Sequence, residues 1–471
     1  MPDTVVDTTS GTVRGRQSPG GSVFLGVPYA AAPLGAARFE PPAPHPGWTG
    51  IRDCLEPGPA APQKPRSGFG ALDMSPFFGD IRTGDPDYLR VNIWTPADAD
   101  RAPVLVFVHG GGFVSGSTRS PLYDGAAFAR DGAVVVTVTY RLGIIGFLDL
   151  PGAPRNRGLL DVLAALRWVQ ANIAAFGGDP GNVTLFGQSA GATLVGALLT
   201  SPESAGLIRR AIMQSGNGTG AFDPEQAARV TARVGELLGV DAGTSALAGL
   251  SDSHLADLGA ALTGIDLRTR DRFDPLLGLS AFSVVLETQP ADALAAGHGA
   301  SVPLLIGTNA EEGNLYLAPQ SALADSTEQD VVALAARCHP DPAAAVARYR
   351  ADRPGAGWGT IRAAILGDAL FTGGSARLAQ AHDTRGQAAL HRYRFTWRSP
   401  ALGGNLGAAH AVELPFVFEC TDSAVLHGPA GLLGPQAAPR DLAAEMHGAW
   451  VRYAADGAPG WAPSTTYTFT G

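Results

Sequence analysis

The sequence predicts an α/β protein, built on a mostly parallel central sheet with helices on both faces and helical insertions above it. Three observations predict this. Short β-branched apolar runs recur, helical patterns fall between them, and two helix-rich stretches interrupt the alternation. The runs are 91–94, 104–108, 134–139, 183–186, 211–214, 304–306 and 390–395. Runs so short and largely apolar, bounded by turn residues, read as buried strands. Residues 159–176 place Leu160, Val162, Leu163, Leu166, Val169, Ile173 and Phe176 on one broad face, and 441–454 is a second helical candidate. Strands alternating with helices imply crossover connections and hence parallel neighbours. The stretches 223–300 and 315–389 are the expected insertions, and the Pro/Gly-rich segments 41–65 and 427–439 read as long connections.

Composition narrows the function. Of 471 residues, 45% are hydrophobic and 16% charged, which excludes disordered and fibrous readings. The formal net charge is −9, and Lys64 is the single lysine. Neither a basic nucleic-acid footprint nor a polybasic membrane-binding segment is present. Cys54, Cys338 and Cys420 are odd in number and widely spaced, so neither a disulfide framework nor a zinc cluster is expected. No run approaches about 18 uninterrupted apolar residues, and the N-terminal residues from Met1 to Thr4 lack a signal-peptide pattern. The expectation is a cytoplasmic protein without membrane partners.

The most informative stretch is Val183-Thr184-Leu185-Phe186-Gly187-Gln188-Ser189-Ala190-Gly191, followed by an apolar helical run. This is G-x-S-x-G between a strand and a helix. A sharp turn leaves no room for side chains on either side of the serine, hence the two glycines. It pushes the Ser189 hydroxyl out at the carboxyl end of a strand, where open parallel sheets bind ligands. The helix start adds free N–H groups. His109-Gly110-Gly111-Gly112-Phe113 directly follows another strand. No G-x-x-x-x-G-K-[ST] accompanies it, which argues against a phosphate loop. Glycines let successive N–H groups converge on one negative charge, so Gly111, Gly112 and Ala190 read as an oxyanion hole.

A serine nucleophile needs a base, and the base an orienting acid. In α/β-hydrolase order the acid and then the histidine follow the serine. The base is then His410, His427 or His447, with His382 and His391 behind them. The acid belongs on a loop just after a strand, and the segment 304–313 offers both Glu311 and Glu312.

Together these residues resemble the type-B carboxylesterases, the group of para-nitrobenzyl esterases and cholinesterases. The matching motifs run FLGVPYA at 24–30, VNIW at 91–94, HGGGF at 109–113, TYRLG at 139–143, FGGDPGNVTLFGQSAG at 176–191, QSG at 214–216, GTNAEEG at 307–313 and HAVELPF at 410–416. The resemblance implies an α/β-hydrolase fold in one catalytic domain over 1–471, its insertions lying over the active site. It implies hydrolysis of small, fairly apolar esters through an acyl-enzyme, without metal or cofactor. Amide, carbamate, thioester and lactone bonds would be served by the same intermediate, and the family also includes binding proteins that lack the serine. By resemblance, Ser189 is the nucleophile, Glu312 the acid and His410 the base. Ser215 stands near the acid, and Arg141 with Asp161 forms a structural ion pair.

Two departures stand out. Gln188 replaces the family's usual Glu beside the serine, which predicts weaker attraction for cationic substrates. Ala61 and Tyr88 occupy the positions of an early disulfide. The loop 66–85, carrying Phe69, Phe77 and Phe78, is therefore expected to be mobile and to shape access to the site.

Overall fold

The computed structural model describes residues 3–471; Met1 and Pro2, used above only for their composition, lie outside them. The chain opens with β1 (Asp3–Thr8), β2 (Gly11–Ser18) and β3 (Gly21–Pro28), and β4 (Ile51–Asp53) joins β2 in parallel. A small separate hairpin follows, β5 (Gly68–Phe69) with β6 (Leu72–Asp73). Then come β7 (Arg90–Pro96), β8 (Ala102–Val108), β9 (Val134–Val138), β10 (Gly178–Gln188), β11 (Arg210–Gln214), β12 (Leu304–Asn309), β13 (Leu390–Phe395) and β14 (Thr466–Phe469). They form a 12-stranded sheet in the order β1-β2-β3-β7-β9-β8-β10-β11-β12-β13-β14, with β4 beside β2. Neighbours from β9 through β14 are parallel, whereas β1, β2, β3, β7 and β9 pair antiparallel.

All seven apolar runs read from the sequence are strands of this sheet. The terminal strands β1, β2 and β14 are half-exposed and interleave Thr, Asp, Arg and Gln with apolar residues, so they present no continuous apolar run. The central strands show why the sheet is covered on both sides. Val104, Val106 and Val108 of β8 enter one core, and Leu105 and Phe107 enter the other, the period of two of a pleated strand. Helices Arg157–Asn172 and Ala190–Leu199 cover the first face, and Arg440–Asp456 covers the second. The segment Arg157–Phe176 is long and apolar enough to cross a membrane by length and composition. Here Val162, Leu166, Val169 and Ile173 pack into the first core instead.

The first insertion carries helices Pro224–Leu238, Thr244–Ala248, Asp252–Ala260 and Pro290–Ala295. Its composition reads as largely helical, while 265–289 is irregular. The side chains of Asp266 and Asp274 accept the backbone N–H groups of Arg268, Leu276 and Gly278 at 2.7–3.0 Å, giving that backbone an alternative to helix. The second insertion is helical, with Glu328–Ala335, Pro342–Ala351, Trp358–Gly367 and Gly373–Arg385, and it has small apolar clusters of its own.

Ala61 and Tyr88 are buried, and all three cysteines are free. The loop 66–85, expected to be mobile, is folded into the β5–β6 hairpin and the helical turn Ser75–Phe78, with Met74, Phe77 and Phe78 buried. It is tied to the body by Asp73 N–H to Ala430 O (2.8 Å) and Ala71 N–H to Pro319 O (2.9 Å). The Arg119 guanidinium also bonds the carbonyls of Asp80 and Pro57. Non-covalent anchors thus stand where a disulfide was missing.

Candidate active site

Ser189 sits between β10 and the helix Ala190–Leu199 with φ 58° and ψ −125°, a left-handed backbone rarely adopted by serine. Its N–H bonds Gln214 O at 2.9 Å, and its carbonyl accepts Thr193 N–H at 3.0 Å. The flanking glycines are sterically required. A Cβ on Gly191 would stand 2.0 Å from Val108 O, and one on Gly187 2.7 Å from the Gly191 carbonyl carbon. The loop after β8 is equally tight: Gly111 has φ 114°, and its Cβ would meet Ser115 O at 2.0 Å. Among the described residues, the N–H groups of Gly111, Gly112 and Ala190 have no intrachain acceptor, and all three residues border the cavity that Ser189 enters. His109 supports this loop from behind. It stacks on Tyr140, binds Gly110 O through Nδ1 at 2.8 Å, and is pushed down to about 4 by burial, so it stays neutral.

Ser215, Glu312 and His410 are brought together from three distant segments. Glu312 follows β12 and is buried; its Oε2 accepts His410 Nδ1–H at 2.7 Å. Its Oε1 accepts Ser215 Oγ–H at 2.5 Å and Asn309 N–H at 2.7 Å. Glu311 points elsewhere, to Arg398 and to Ala408 N–H, so the geometry separates the two candidates. His410 lines the Ser189 cavity. The other candidates do not: His427 binds Thr421 O, His447 Val417 O and His382 Val302 O, while His391 lies against Tyr453 and Trp461. Arg141 and Asp161 are fully buried and paired at 2.7 Å beneath the sheet end.

The carboxylesterase family model matches residues 2–467. The chain belongs to the carboxylesterase family. It is 38% identical to fumonisin B1 esterase of Sphingopyxis macrogoltabida, covering 97% of this chain and 83% of that one. Para-nitrobenzyl esterase of Bacillus subtilis is 34% identical, with 98% and 91% covered. Among solved structures, a Geobacillus stearothermophilus carboxylesterase at pH 6.2 superposes with a TM-score of 0.84 at 35% identity, covering 99% and 96% of the two chains. The α/β-hydrolase fold and carboxylic-ester hydrolysis are therefore those of this carboxylesterase.

Several features of the site escaped the sequence. No hydrogen bond joins Ser189 to His410; instead Gln188 Nε2 lies 3.2 Å from His410 Nε2, and Gln188 Oε1 is buried without a partner. With Nδ1–H on Glu312, the Gln188 amide N–H thus points at the Nε2 lone pair. Phe371 stacks on the His410 ring, with centroids 4.0 Å apart and planes within 12°. A π-helical turn, Asp368–Thr372, between two α-helices delivers that ring. Asn217 steadies it by donating to the carbonyls of Ala369 and Leu370. Such turns recur at functional sites, but no local pattern in 368–372 announces one. Glu413, inside the HAVELPF motif, is fully buried behind Glu312. It accepts Asn309 Nδ2–H at 2.6 Å and is pushed up to about 7 by burial and by the Glu312 charge.

The cavity above Ser189 has a volume of about 480 Å³. Phe69, Phe77 and Phe78 from the folded loop face Leu277, Leu315, Leu366 and Phe371 from the insertions. Far from it, Asp131, Glu419 and His447 bring potential metal-ligand atoms within 4.8 Å of one another. The Arg130 guanidinium already bonds both carboxylates.

Proposed function

We propose that this carboxylesterase works through an acyl-enzyme on Ser189, with His410 as general base and acid and Glu312 as its orienting carboxylate. One observation carries the reading. A strained serine, three N–H groups without acceptors and a histidine held by a buried carboxylate border the same cavity.

In this reading Glu312 keeps the proton on Nδ1, which leaves Nε2 basic. When an ester enters, Gln188 releases Nε2 and the imidazole takes the Ser189 proton as Oγ attacks the carbonyl. Charge developing on the carbonyl oxygen is met by the N–H groups of Gly111, Gly112 and Ala190. The alcohol leaves with the proton from Nε2, and water repeats the sequence on the acyl-enzyme. Ser215 fixes Glu312 in place. The apolar walls favour esters with an apolar body. The three free thiols, Cys54 raised to about 11 by burial, support action in a reducing compartment such as the cytoplasm.

A fluorophosphonate probe tests the reading. Wild type should be labelled at Ser189, and Ser189→Ala should be unlabelled and lose about 10⁶-fold in kcat on a para-nitrophenyl ester. Equal labelling of the two proteins would refute it.

A further inference from the structure

Every charged side chain that lines the Ser189 cavity, apart from His410, is an arginine: Arg66, Arg337 and Arg362. No carboxylate joins them, in a chain whose net charge is −9. None of the three has an ion-pair partner within 4.0 Å among the described residues. Arg337 donates only to Leu277 O at 2.6 Å, and Arg362 to Ser326 Oγ at 3.2 Å. The exposed Arg66 reaches Ser115 Oγ at 3.4 Å and lies 5.5 and 5.9 Å from the ring centres of Phe69 and Phe78.

The nearest acids are already engaged. Asp274 accepts two backbone N–H groups, Asp266 is bound by Arg268 and Asp330 by Thr327. Gln188, beside the serine, carries no charge. Three guanidinium groups with no carboxylate in ion-pair contact border an apolar cavity and bring positive charge to it, and guanidinium is the side chain best shaped to receive a carboxylate.

We infer that the substrates of this carboxylesterase are anionic esters, with an apolar body and at least one free carboxylate that Arg66, Arg337 and Arg362 receive while Ser189 attacks the ester carbonyl. The inference rests on the acyl-enzyme reading above and adds the substrate class to it. It adds a free carboxylate to the expected small, fairly apolar ester.

The test compares near-isosteric pairs. On the acyl side, the mono-para-nitrophenyl ester of glutaric acid is set against para-nitrophenyl pentanoate. On the alcohol side, 4-acetoxyphenylacetate is set against 4-ethylphenyl acetate. For at least one pair, kcat/KM should favour the anionic ester by about tenfold at low ionic strength. That advantage should shrink as salt is added. Arg337→Met and Arg362→Met should each lower the anionic-to-neutral ratio by about fivefold to tenfold, Arg362→Lys should retain most of it, and Arg362→Glu should reverse it. Because each ratio is taken within one protein, loss of folded material does not mimic the effect. Turnover of the neutral esters with no anionic preference in either pair, or ratios untouched by the arginine changes, overturns the inference alone. Failure to turn over any of the four, with no fluorophosphonate labelling, instead overturns the acyl-enzyme reading.

Discussion

The two halves of the proposed active site are held by different means. On the nucleophile side, backbone does the positioning: the left-handed Ser189, the close approach of Gly191 to Val108 and the open N–H groups of the glycine loop. On the acid–base side, side chains do it: Ser215 and Asn309 on Glu312, Glu312 and Phe371 on His410. A backbone constraint is local and tolerates almost no change of residue. A side-chain constraint is distributed, and each member contributes a share that depends on hydrogen bonding and charge. The first half should therefore break through steric substitution and the second through isosteric, charge-altering substitution.

The largest effect tests the side-chain half. Glu312→Gln keeps shape and burial but turns a carboxylate that fixes the Nδ1–H tautomer into an amide that fits either. kcat should fall by about 10⁴-fold, as in serine triads with an amide at this place. Glu311→Gln, whose carboxylate binds Arg398 at the edge of the site, should change kcat by less than about threefold. Rate measurements on one para-nitrophenyl ester decide it, and a reversed order would move the acid to Glu311.

The same contrast explains what the sequence could disclose. Strands β7 to β13 were legible because each is a short apolar run, and the elbow at Ser189 because strand, glycines and helix lie within a dozen residues. The acid–base half joins Ser215, Glu312 and His410 across roughly a hundred residues at each step, so spacing alone left two glutamates and several histidines open. Only the family pattern chose among them. Phe371, Arg337 and Arg362 were invisible for the same reason. They come from insertions whose local sequence says helix and nothing about which side faces the serine. The irregular stretch 265–289 within the helix-rich insertion was not legible either, because aspartate side chains bonding nearby backbone offer it an alternative to helix.

Gly191→Ala tests the backbone half. Its Cβ would overlap Val108 O, so either β8 or the elbow must move. A displacement near 1 Å at the nucleophile costs about 10²-fold in rate, and loss of one oxyanion donor costs about 10²–10³-fold. A kcat decrease in that range, with a lower Tm, is expected. Gly243→Ala serves as the control: that glycine has φ −152° and open space around its Cβ position. It should change stability by no more than about 0.5 kcal/mol. Wild-type kcat in Gly191→Ala would show that the elbow is not set by close packing of backbone.

The smallest effect separates the halves by pH. Behind the glycine loop, burial pushes His109 down to about 4, so the folded state disfavours its proton. Behind Glu312, burial and the neighbouring charge push Glu413 up to about 7, so the folded state favours its proton. The two therefore act on stability with opposite sign. An acid raised in the folded state adds stability that is full below its unfolded value near 4.5 and is lost as pH rises through about 7. A histidine lowered in the folded state costs stability only as pH falls below about 6.5. Glu413→Gln removes the first contribution and leaves the second. Relative to wild type, the variant's Tm should rise by about 1–3 °C between pH 5 and pH 8, since roughly 1–3 kcal/mol of pH-dependent stability is taken out of the difference. Differential thermal unfolding across that range measures it. A wild-type-minus-variant difference that is flat with pH would mean that the carboxylate behind Glu312 is already ionised at pH 5 and that the acid–base half carries no proton of its own beyond the imidazole.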